Sequence, residues 1–496
     1  MSVGTLIAVI SNVDAPLDAV GSEFIDNTPK WLKISAIRWF GTNDKFALRV
    51  GIVVIITGLA LTVGAIARRR RVVGVIAIAT FGIIGGSITA GRPSQSALAA
   101  IPSILGAAIG CWLLWKLIGI ITKNDGATQV PGESRAPLGW DRRRFISATS
   151  AAAVVSAVTV ITARKIENQN IDEVRADAAD VSVPTNAGAI TTQSTIPAGA
   201  QIFSQTPFIT PNDDFYRIDT ALSLPRINIK TWNLQIGGMV NTPLRFSYED
   251  LLASKMVEHT ITICCVSNEV GGKYIGNATW QGVLLADLLN EAGVDPRAEQ
   301  IFGTSVDGWT CGFPVTAALD GRDAMIAVAM NGEPLPLEHG FPARVIVPGL
   351  YGYVSATKWL ERLDLTTWDQ AEGYWVPRGW SREAPIKTQS RIDVPRRGED
   401  VIAGKVIIAG VAWAQHRGIE KVEVQIEDGP WNKATLALDV SDDTWRQWKY
   451  EWDATPGDYT IQVRATDKTG ETQTQEVSPP DPDGATGYHM RSLTVL

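Results

Sequence analysis

The first half of this 496-residue sequence has no histidine, since all four, His259, His339, His416 and His489, lie in the second half. A b-type haem inside a membrane bundle needs axial imidazoles on facing helices, so no haem is expected in this chain. Cysteine is also scarce. Four residues, of which Cys111 sits inside an apolar run, do not make a disulfide framework, although a bridge from Cys264 or Cys265 to Cys311 stays open and would compete with metal binding. Basic excess is missing: a net charge of −7 and a pI near 5.4 argue against a nucleic-acid partner, because phosphate backbones select basic faces. No disorder-type composition is present, and the length calls for two or three domains.

Long apolar runs are what the N-terminal third does have. Phe46 to Ala67, Val72 to Ala90 and Ala97 to Ile121 are each long enough to span a bilayer as a helix, and Phe145 to Ala163 is a fourth. This predicts three transmembrane helices within 46–121, a cytoplasmic loop at 122–144 and a fourth helix at 145–163. Lys and Arg mark cytoplasmic loops. Arg68 to Arg71 lie between the first two runs, and Lys123 and Arg142 to Arg144 between the last two, with Lys116 near the end of the third run, which puts residues 1–45 and everything after Ala163 outside. Leu6 to Ile10 is too short to span. The DRRRFIS stretch at Asp141 to Ser147, followed by small, weakly apolar residues, looks like a twin-arginine export signal with Asp141 where Ser or Thr is usual. A plain stop-transfer anchor with positive flanks is the other reading. No A-x-A-type site follows Ala163 closely, so the segment is expected to stay as an anchor.

From Glu167 to about Gln201 the composition turns to Ala, Thr, Ser, Asn, Gln and Asp, which predicts a linker over 164–205. A globular α+β domain follows over 206–397, with a capped helix headed by Ser247 to Asp250 and a Leu284, Leu285, Leu288, Leu289 stripe closed by Gly293. Beyond Gly398 strict alternation sets in: Val422, Val424, Ile426; Trp448, Tyr450, Trp452; Tyr459, Ile461, Val463. Half-buried strands separated by Gly, Asp and Pro turns predict an immunoglobulin-like antiparallel sandwich over 398–496.

Two features carry chemistry. Met330 to Trp359, MNGEPLPLEHGFPARVIVPGLYGYVSATKW, places His339, Arg344 and Lys358 in Gly- and Pro-rich backbone, all of them side chains that bind anions. The apolar run Ile261 to Ile263 delivers Cys264 and Cys265 into the polar segment Val266 to Gly272, a place for a thiolate to meet a metal. One soft ligand beside phosphate-type donors points to a cofactor with both a metal and a phosphate. The spacings reach no further than that.

Taken together, ITPNDDFYRIDTALSLP (Ile209 to Pro225), CVSNEVGG (Cys265 to Gly272), TWQGVLLADLL (Thr279 to Leu289), SVDG (Ser305 to Gly308), the Met330 to Trp359 stretch and GVAWAQHRGIEKVEVQIEDGPW (Gly410 to Trp431) resemble the sulfite oxidase family of molybdopterin enzymes. The resemblance covers almost everything from Thr206 onward. It implies a molybdenum-molybdopterin cofactor, with Cys265 as the metal ligand because Cys265-Val266-Ser267-Asn268 matches the family's Cys-x-Gly-Asn. It implies cofactor contacts at Phe215, Tyr216, Arg217, Asp307, His339, Arg344, Thr357 and Lys358, with Cys265 and Arg217 as the catalytic pair. Arg217 falls on the arginine of the family's Phe-x-Arg-Asn-His segment and Asp219 replaces the histidine. One extra residue separates His339 from Lys358, so Thr357 and Lys358 match less closely than Arg344. The stretch around IDNTPKWLKISAIRWFGTNDK, within Asp14 to Lys45, is similar to the outer loop of actinobacterial membrane-anchored members, which commonly carry one more helix before it, so a lost first helix or a late start codon is expected.

Each of these residues also has a plainer role open to it. Cys264 reads as a small buried hydrophobe, His339 as a satisfied loop histidine, Arg344 as an ion-pair residue, Lys358 as a side chain snorkelling over Trp359, and Asp307 as a turn cap. One departure bears on substrate. Sulfite-oxidising members place an arginine just after the cysteine motif, whereas Glu269 and Val270 stand there in this sequence, and a carboxylate repels sulfite. A neutral oxo compound, as in methionine sulfoxide reduction, meets less repulsion. The expected function is therefore two-electron oxygen-atom transfer on a small oxo donor or acceptor. Electrons would be exchanged with a separate carrier, a quinone-linked membrane protein or a cytochrome, and the terminal sandwich would form a homodimer. The alternative from a different class is a non-catalytic surface assembly module.

Overall fold

The computed structural model describes residues 2–11, 13–29, 32, 35, 39–40, 44–92, 96–122, 142–183, 190–191 and 196–496. The expected cytoplasmic loop falls almost wholly outside the described residues, as do Asp141 and parts of the N-terminal segment and of the linker. The chain divides into two compact units, residues 1–173 with 221–226, and residues 174–220 with 227–496.

The first unit is helical: α1 (Ser2–Ile10), α2 (Pro16–Asn27), α3 (Asp44–Arg69), α4 (Arg71–Ala90), α5 (Ile101–Thr122) and α6 (Arg142–Ala179). Four stretches, Phe46–Arg69, Arg71–Ala90, Ala97–Ile120 and Arg143–Ala179, are long and apolar enough to cross a membrane by length and composition. Small residues let them pack closely, as membrane helices require: a Cβ on Gly82 would collide with Ala107, and one on Gly74 with Ala67. The segment 221–226 belongs to this unit. Arg49 donates to the Leu222 carbonyl at 2.6 Å and Arg226 to the Val9 carbonyl at 3.3 Å.

One expectation needs correcting. The linker predicted from residue 164 is helical as far as Ala179, since α6 runs for 38 residues. Lys165 to Ala179 contains neither Gly nor Pro and includes Ala, Glu, Gln, Lys and Arg among its residues, so its polarity concealed adequate helix propensity.

The second unit is mixed α and β. Its six-stranded sheet joins β1 (Ile190–Thr191), β4 (Met256–Cys264), β5 (Ile275–Leu284), β8 (Met325–Met330) and β10 (Arg344–Ile346) in that order, with β9 (Glu333–Pro334) on β8. A five-stranded sheet runs β3 (Leu244–Ser247), β2 (Asn233–Gly238), β11 (Leu360–Thr366), β6 (Gln300–Ser305), β7 (Thr310–Pro314). The two predicted helices are present. Helix α7 (Tyr248–Ala253) starts at a capping box in which Ser247 Oγ accepts from the Asp250 amide while the Asp250 carboxylate accepts from the Ser247 amide. Helix α8 (Leu285–Ala292) buries Leu285, Leu288 and Leu289 and ends at Gly293, whose φ of 67° only glycine adopts without strain.

Two four-stranded antiparallel sheets close the chain, β12 (Gln389–Val394), β13 (Gly404–Trp413), β17 (Arg446–Ala454), β16 (Thr435–Leu436) and β15 (Asn432–Lys433), β14 (Ile419–Ile426), β18 (Gly457–Asp467), β19 (His489–Val495). Ile408 and Trp448 of one sheet and Val422, Val424, Ile461 and Val463 of the other fill the space between them. The sandwich begins before the expected boundary at Gly398, because β12 is one of its strands. It also shares a core with the rest of the unit, in which Val411, Trp413 and Trp445 pack with Phe208, Cys264, Val266 and Tyr351. Trp448 is fully buried between the sheets. Trp448→Ala is expected to cost about 3–5 kcal/mol, read as a lower denaturation midpoint of the solubilised full chain.

Candidate active site

Strand β4 is buried on both faces and pairs with β5 from Met256↔Val283 to Cys264↔Ile275. The connection between them carries Cys265. Its amide donates to the Tyr274 carbonyl at 2.9 Å, extending the ladder by one rung, and the turn is closed by Asn268, whose amide donates to the Cys265 carbonyl at 3.0 Å and whose Oδ1 accepts from the Tyr274 amide at 2.7 Å. Cys264 points into the apolar core and donates to the Cys265 carbonyl, as a small buried hydrophobe would. Cys265 is 8 % exposed and is not part of that core cluster, although its neighbours Cys264 and Val266 are. Cys264, Cys265 and Cys311 are all free thiols.

Burial pushes the Cys265 thiol up, and hydrogen bonds from Ser267 and the charge of Lys358 only partly offset this. The thiol is thus held protonated and is a poor nucleophile in its own right. A bound metal would ionise it outright. Among the described residues no group of three or more His, Cys, Asp or Glu side chains converges on a metal position, so a metal at Cys265 would take most of its ligands from outside these side chains.

The anion-binding residues arrive from β10 and its flanks. Arg344 is the first residue of β10 and only 3 % exposed; its Nη1 donates to the His339 carbonyl at 3.0 Å, while its Nε has no hydrogen-bond partner. The guanidinium lies over the Trp280 ring at 5.1 Å. Burial lowers its pKa to about 10, and no carboxylate among the described residues pairs with it. Lys358 is buried too, and burial lowers its pKa to about 8 against the pull of Asp219. Its ammonium donates to Asp219 Oδ2 and to the Glu338 carbonyl, both at 3.1 Å. Gly340, at φ 112°, lets these two cations approach: a Cβ there would meet Lys358 Cα at 3.1 Å and Arg344 Cβ at 3.2 Å. His339 donates from Nε2 to the Asn212 carbonyl at 3.0 Å, and burial lowers its pKa to about 4, leaving it neutral.

The segment Asn212 to Asp219 lies against the same strands. Phe215 meets the rings of Tyr216, Trp280 and His339 at centroid distances of 5.2, 5.8 and 5.6 Å and packs on Gly276. Tyr216 faces Tyr274 at 6.5 Å, and burial with the nearby thiols Cys265 and Cys264 raises its pKa. Arg217 donates from Nε to Asp219 Oδ2 at 2.9 Å. The sequence-predicted residues Phe215, Tyr216, Arg217, Cys265, His339, Arg344 and Lys358 are therefore brought into one neighbourhood. Asp307 caps its turn by accepting from the Trp309 amide at 3.1 Å, and the adjacent Val306 amide donates to the Trp359 carbonyl. Thr357 is fully buried, with its hydroxyl 3.1 Å from Cys311 Sγ.

Sequence reasoning missed Trp280, which underlies Arg344, and Asn331, which clasps the Asn212 segment by donating to the Thr210 carbonyl and Asn212 Oδ1 at 3.0 and 2.8 Å. Trp280 lay within a recognised motif. Asn331 also lay within one, the Met330 to Trp359 stretch, ahead of Gly332 in a β8–β9 turn, but nothing there pointed to a contact with Thr210 or Asn212. A buried thiol within electrostatic reach of Lys358, in the same neighbourhood as a buried guanidinium and a neutral histidine, fits a cofactor that combines a metal with a phosphate.

A family profile described as "Oxidoreductase molybdopterin binding domain" matches residues 221–375, which takes in Cys265, Asp307, His339, Arg344, Thr357 and Lys358. An uncharacterized oxidoreductase, YuiH, of Bacillus subtilis is 38% identical over 149 residues, covering 30% of this chain and 72% of that protein. Human mitochondrial sulfite oxidase is 29% identical over 321 residues, 55% of this chain; the chain spans 58% of that protein's length. Among solved structures, the sulfane dehydrogenase SoxCD of Paracoccus pantotrophus aligns with a TM-score of 0.50 and 24% identity, covering 64% of this chain and 91% of that one, a likeness of fold.

Two outcomes follow from the geometry. Arg344→Met removes a buried charge and keeps the bulk, so the cofactor-free chain is expected to gain on the order of 1 kcal/mol or more while pterin content drops, which thermal unfolding and pterin fluorescence measure. His489 accepts from the Ile392 amide through Nδ1 and its ring backs Gly271 of the Cys265 loop; burial lowers its pKa from 6.5 to about 4. The unfolded chain therefore binds the extra proton between those values, and stability falls as pH drops through that window by about 1.4 kcal/mol per unit for this group. His489→Gln should flatten the slope in pH-dependent denaturation.

Proposed function

The chain belongs to the sulfite oxidase family of molybdopterin-dependent oxidoreductases, and from that premise we propose a membrane-anchored enzyme whose catalytic unit faces the cell exterior and transfers an oxygen atom, with two electrons, to or from a small sulfur or nitrogen oxo compound. The observation that carries the reading is that Tyr216 lies within electrostatic reach of both the buried thiol of Cys265 and the buried guanidinium of Arg344, whose Nε has no partner. When bound, molybdenum supplies the redox chemistry and the protein supplies orientation and field. Cys265 is its protein ligand. Arg344, Lys358 and His339 hold the pterin and its phosphate, with Asp307, Thr357, Phe215 and Tyr216 lining the remainder. Arg217, about two-fifths exposed, donates hydrogen bonds to the substrate oxygen. Burial of the cysteine and of the two cations keeps water out, which strengthens each of these interactions.

Glu269, exposed on the Cys265 loop, favours a neutral acceptor over sulfite, so reduction of methionine sulfoxide or a related S- or N-oxide is the preferred direction. Electrons come from or go to a separate quinone-linked membrane protein or cytochrome. The positive residues between the apolar helices support the outward orientation, and α6 serves as a retained twin-arginine-type anchor. The strand order of the sandwich, β12-β13-β17-β16 facing β15-β14-β18-β19, corresponds to an A-B-E-D sheet on a C′-C-F-G sheet and supports an immunoglobulin-like domain, which serves as the homodimer contact.

Cys265→Ser is expected to lose turnover while the purified chain stays folded and pterin-loaded, checked by activity with an artificial electron dye, metal analysis and pterin fluorescence. Unchanged turnover removes the site assignment. The same dye assay, run with sulfite against methionine sulfoxide and other S- and N-oxides, is expected to favour the oxides.

A further inference from the structure

Asp219 stands where the resemblance places histidine, and its carboxylate is only 6% exposed. A single oxygen, Oδ2, accepts from Arg217 Nε at 2.9 Å and from Lys358 Nζ at 3.1 Å. One acid therefore engages both the residue proposed to meet substrate and the residue proposed to meet cofactor.

Charge counting shows what this does. Arg217, Lys358 and Arg344 carry three positive charges, and Asp219 carries one negative charge, so the cluster is left with about +2. Glu338 and Arg175 pair with each other at 2.7 Å and add nothing to the sum. A phosphate monoester carries about −1.5 to −2 near pH 7. Once the cofactor phosphate is seated, no net positive charge is left to attract an anionic substrate. The Arg217 fork is also held at Nε, which leaves it the geometry of a hydrogen-bond donor more than that of a free cation.

We infer that Asp219 is a specificity-determining residue that sets the charge class of the substrate, cancelling Arg217 so that neutral oxo compounds are accepted and oxyanions such as sulfite are discriminated against. The inference rests on the function proposed above and goes further by assigning the selectivity to one carboxylate.

The test compares the full-length, cofactor-loaded enzyme with Asp219→Asn, checking molybdenum per chain in each and measuring kcat and KM for sulfite and for a neutral dialkyl sulfoxide, together with competitive inhibition by sulfate. Removing the charge is expected to lower the sulfite KM and the sulfate inhibition constant together, on the order of tenfold, the worth of one charge-assisted hydrogen bond, while the sulfoxide KM moves far less. Unchanged sulfate inhibition in an Asp219→Asn enzyme of normal molybdenum content overturns the inference. Where that variant loses its cofactor, Arg217→Gln asks the same question from the other side. Subtracting a cation must weaken sulfate binding by a comparable factor, and an unaltered inhibition constant overturns it equally. The sulfate measurement reads Asp219 alone. A wild-type enzyme that prefers sulfite to every S- or N-oxide sinks the proposed function instead.

Discussion

A guanidinium buried without a carboxylate of its own is the constraint around which this molecule is built. Stripping Arg344 of water costs several kcal/mol, and the protein returns little of it: one backbone carbonyl, one indole face and an Nε left without an acceptor. Such an arrangement is destabilising until something anionic completes it. Lys358 repeats the pattern more mildly, with its pKa depressed by burial although Asp219 is in contact. Both cations thus hold positive charge in a low-dielectric region, which an anionic group placed there would offset.

The fold makes this arrangement possible by gathering three short segments around one six-stranded sheet. β4 and β5 place Cys265 at a strand end, where the loop is pinned by Asn268. β10 and the turn before it bring His339 and Arg344 alongside Lys358, a closeness that depends on the missing side chain of Gly340. The Phe215 segment has only a single 3-10 turn, Asn212–Asp214, and is held by Asn331, Trp280 and Gly276. None of these segments could present its residues alone.

Much of this was legible from residue order. The apolar runs, the capping box of α7, the Leu stripe of α8 and the alternating strands of the sandwich are local patterns with local causes, and they appear where expected. The motifs pointed to residues that the fold brings into one neighbourhood. Pairings between distant segments were not legible. Nothing in the neighbourhood of Asp219 says that it will meet Lys358, and nothing near Gln389 says that β12 will join strands that begin after Gly404. The polar part of α6 was misread for the opposite reason. Apolar periodicity signals burial, and a solvated helix has none to show, so composition was mistaken for the absence of structure.

The contact between His489 and Gly271 has a temporal meaning. The loop that carries Cys265 is backed by an imidazole on β19, and the Gly272 carbonyl accepts from Arg391 on β12. Both supports leave the ribosome long after the thiol they steady. A nascent or truncated chain that ends before β12 therefore carries Cys265 without the two side chains that back its loop, so the position of this thiol depends on the last strands to be made.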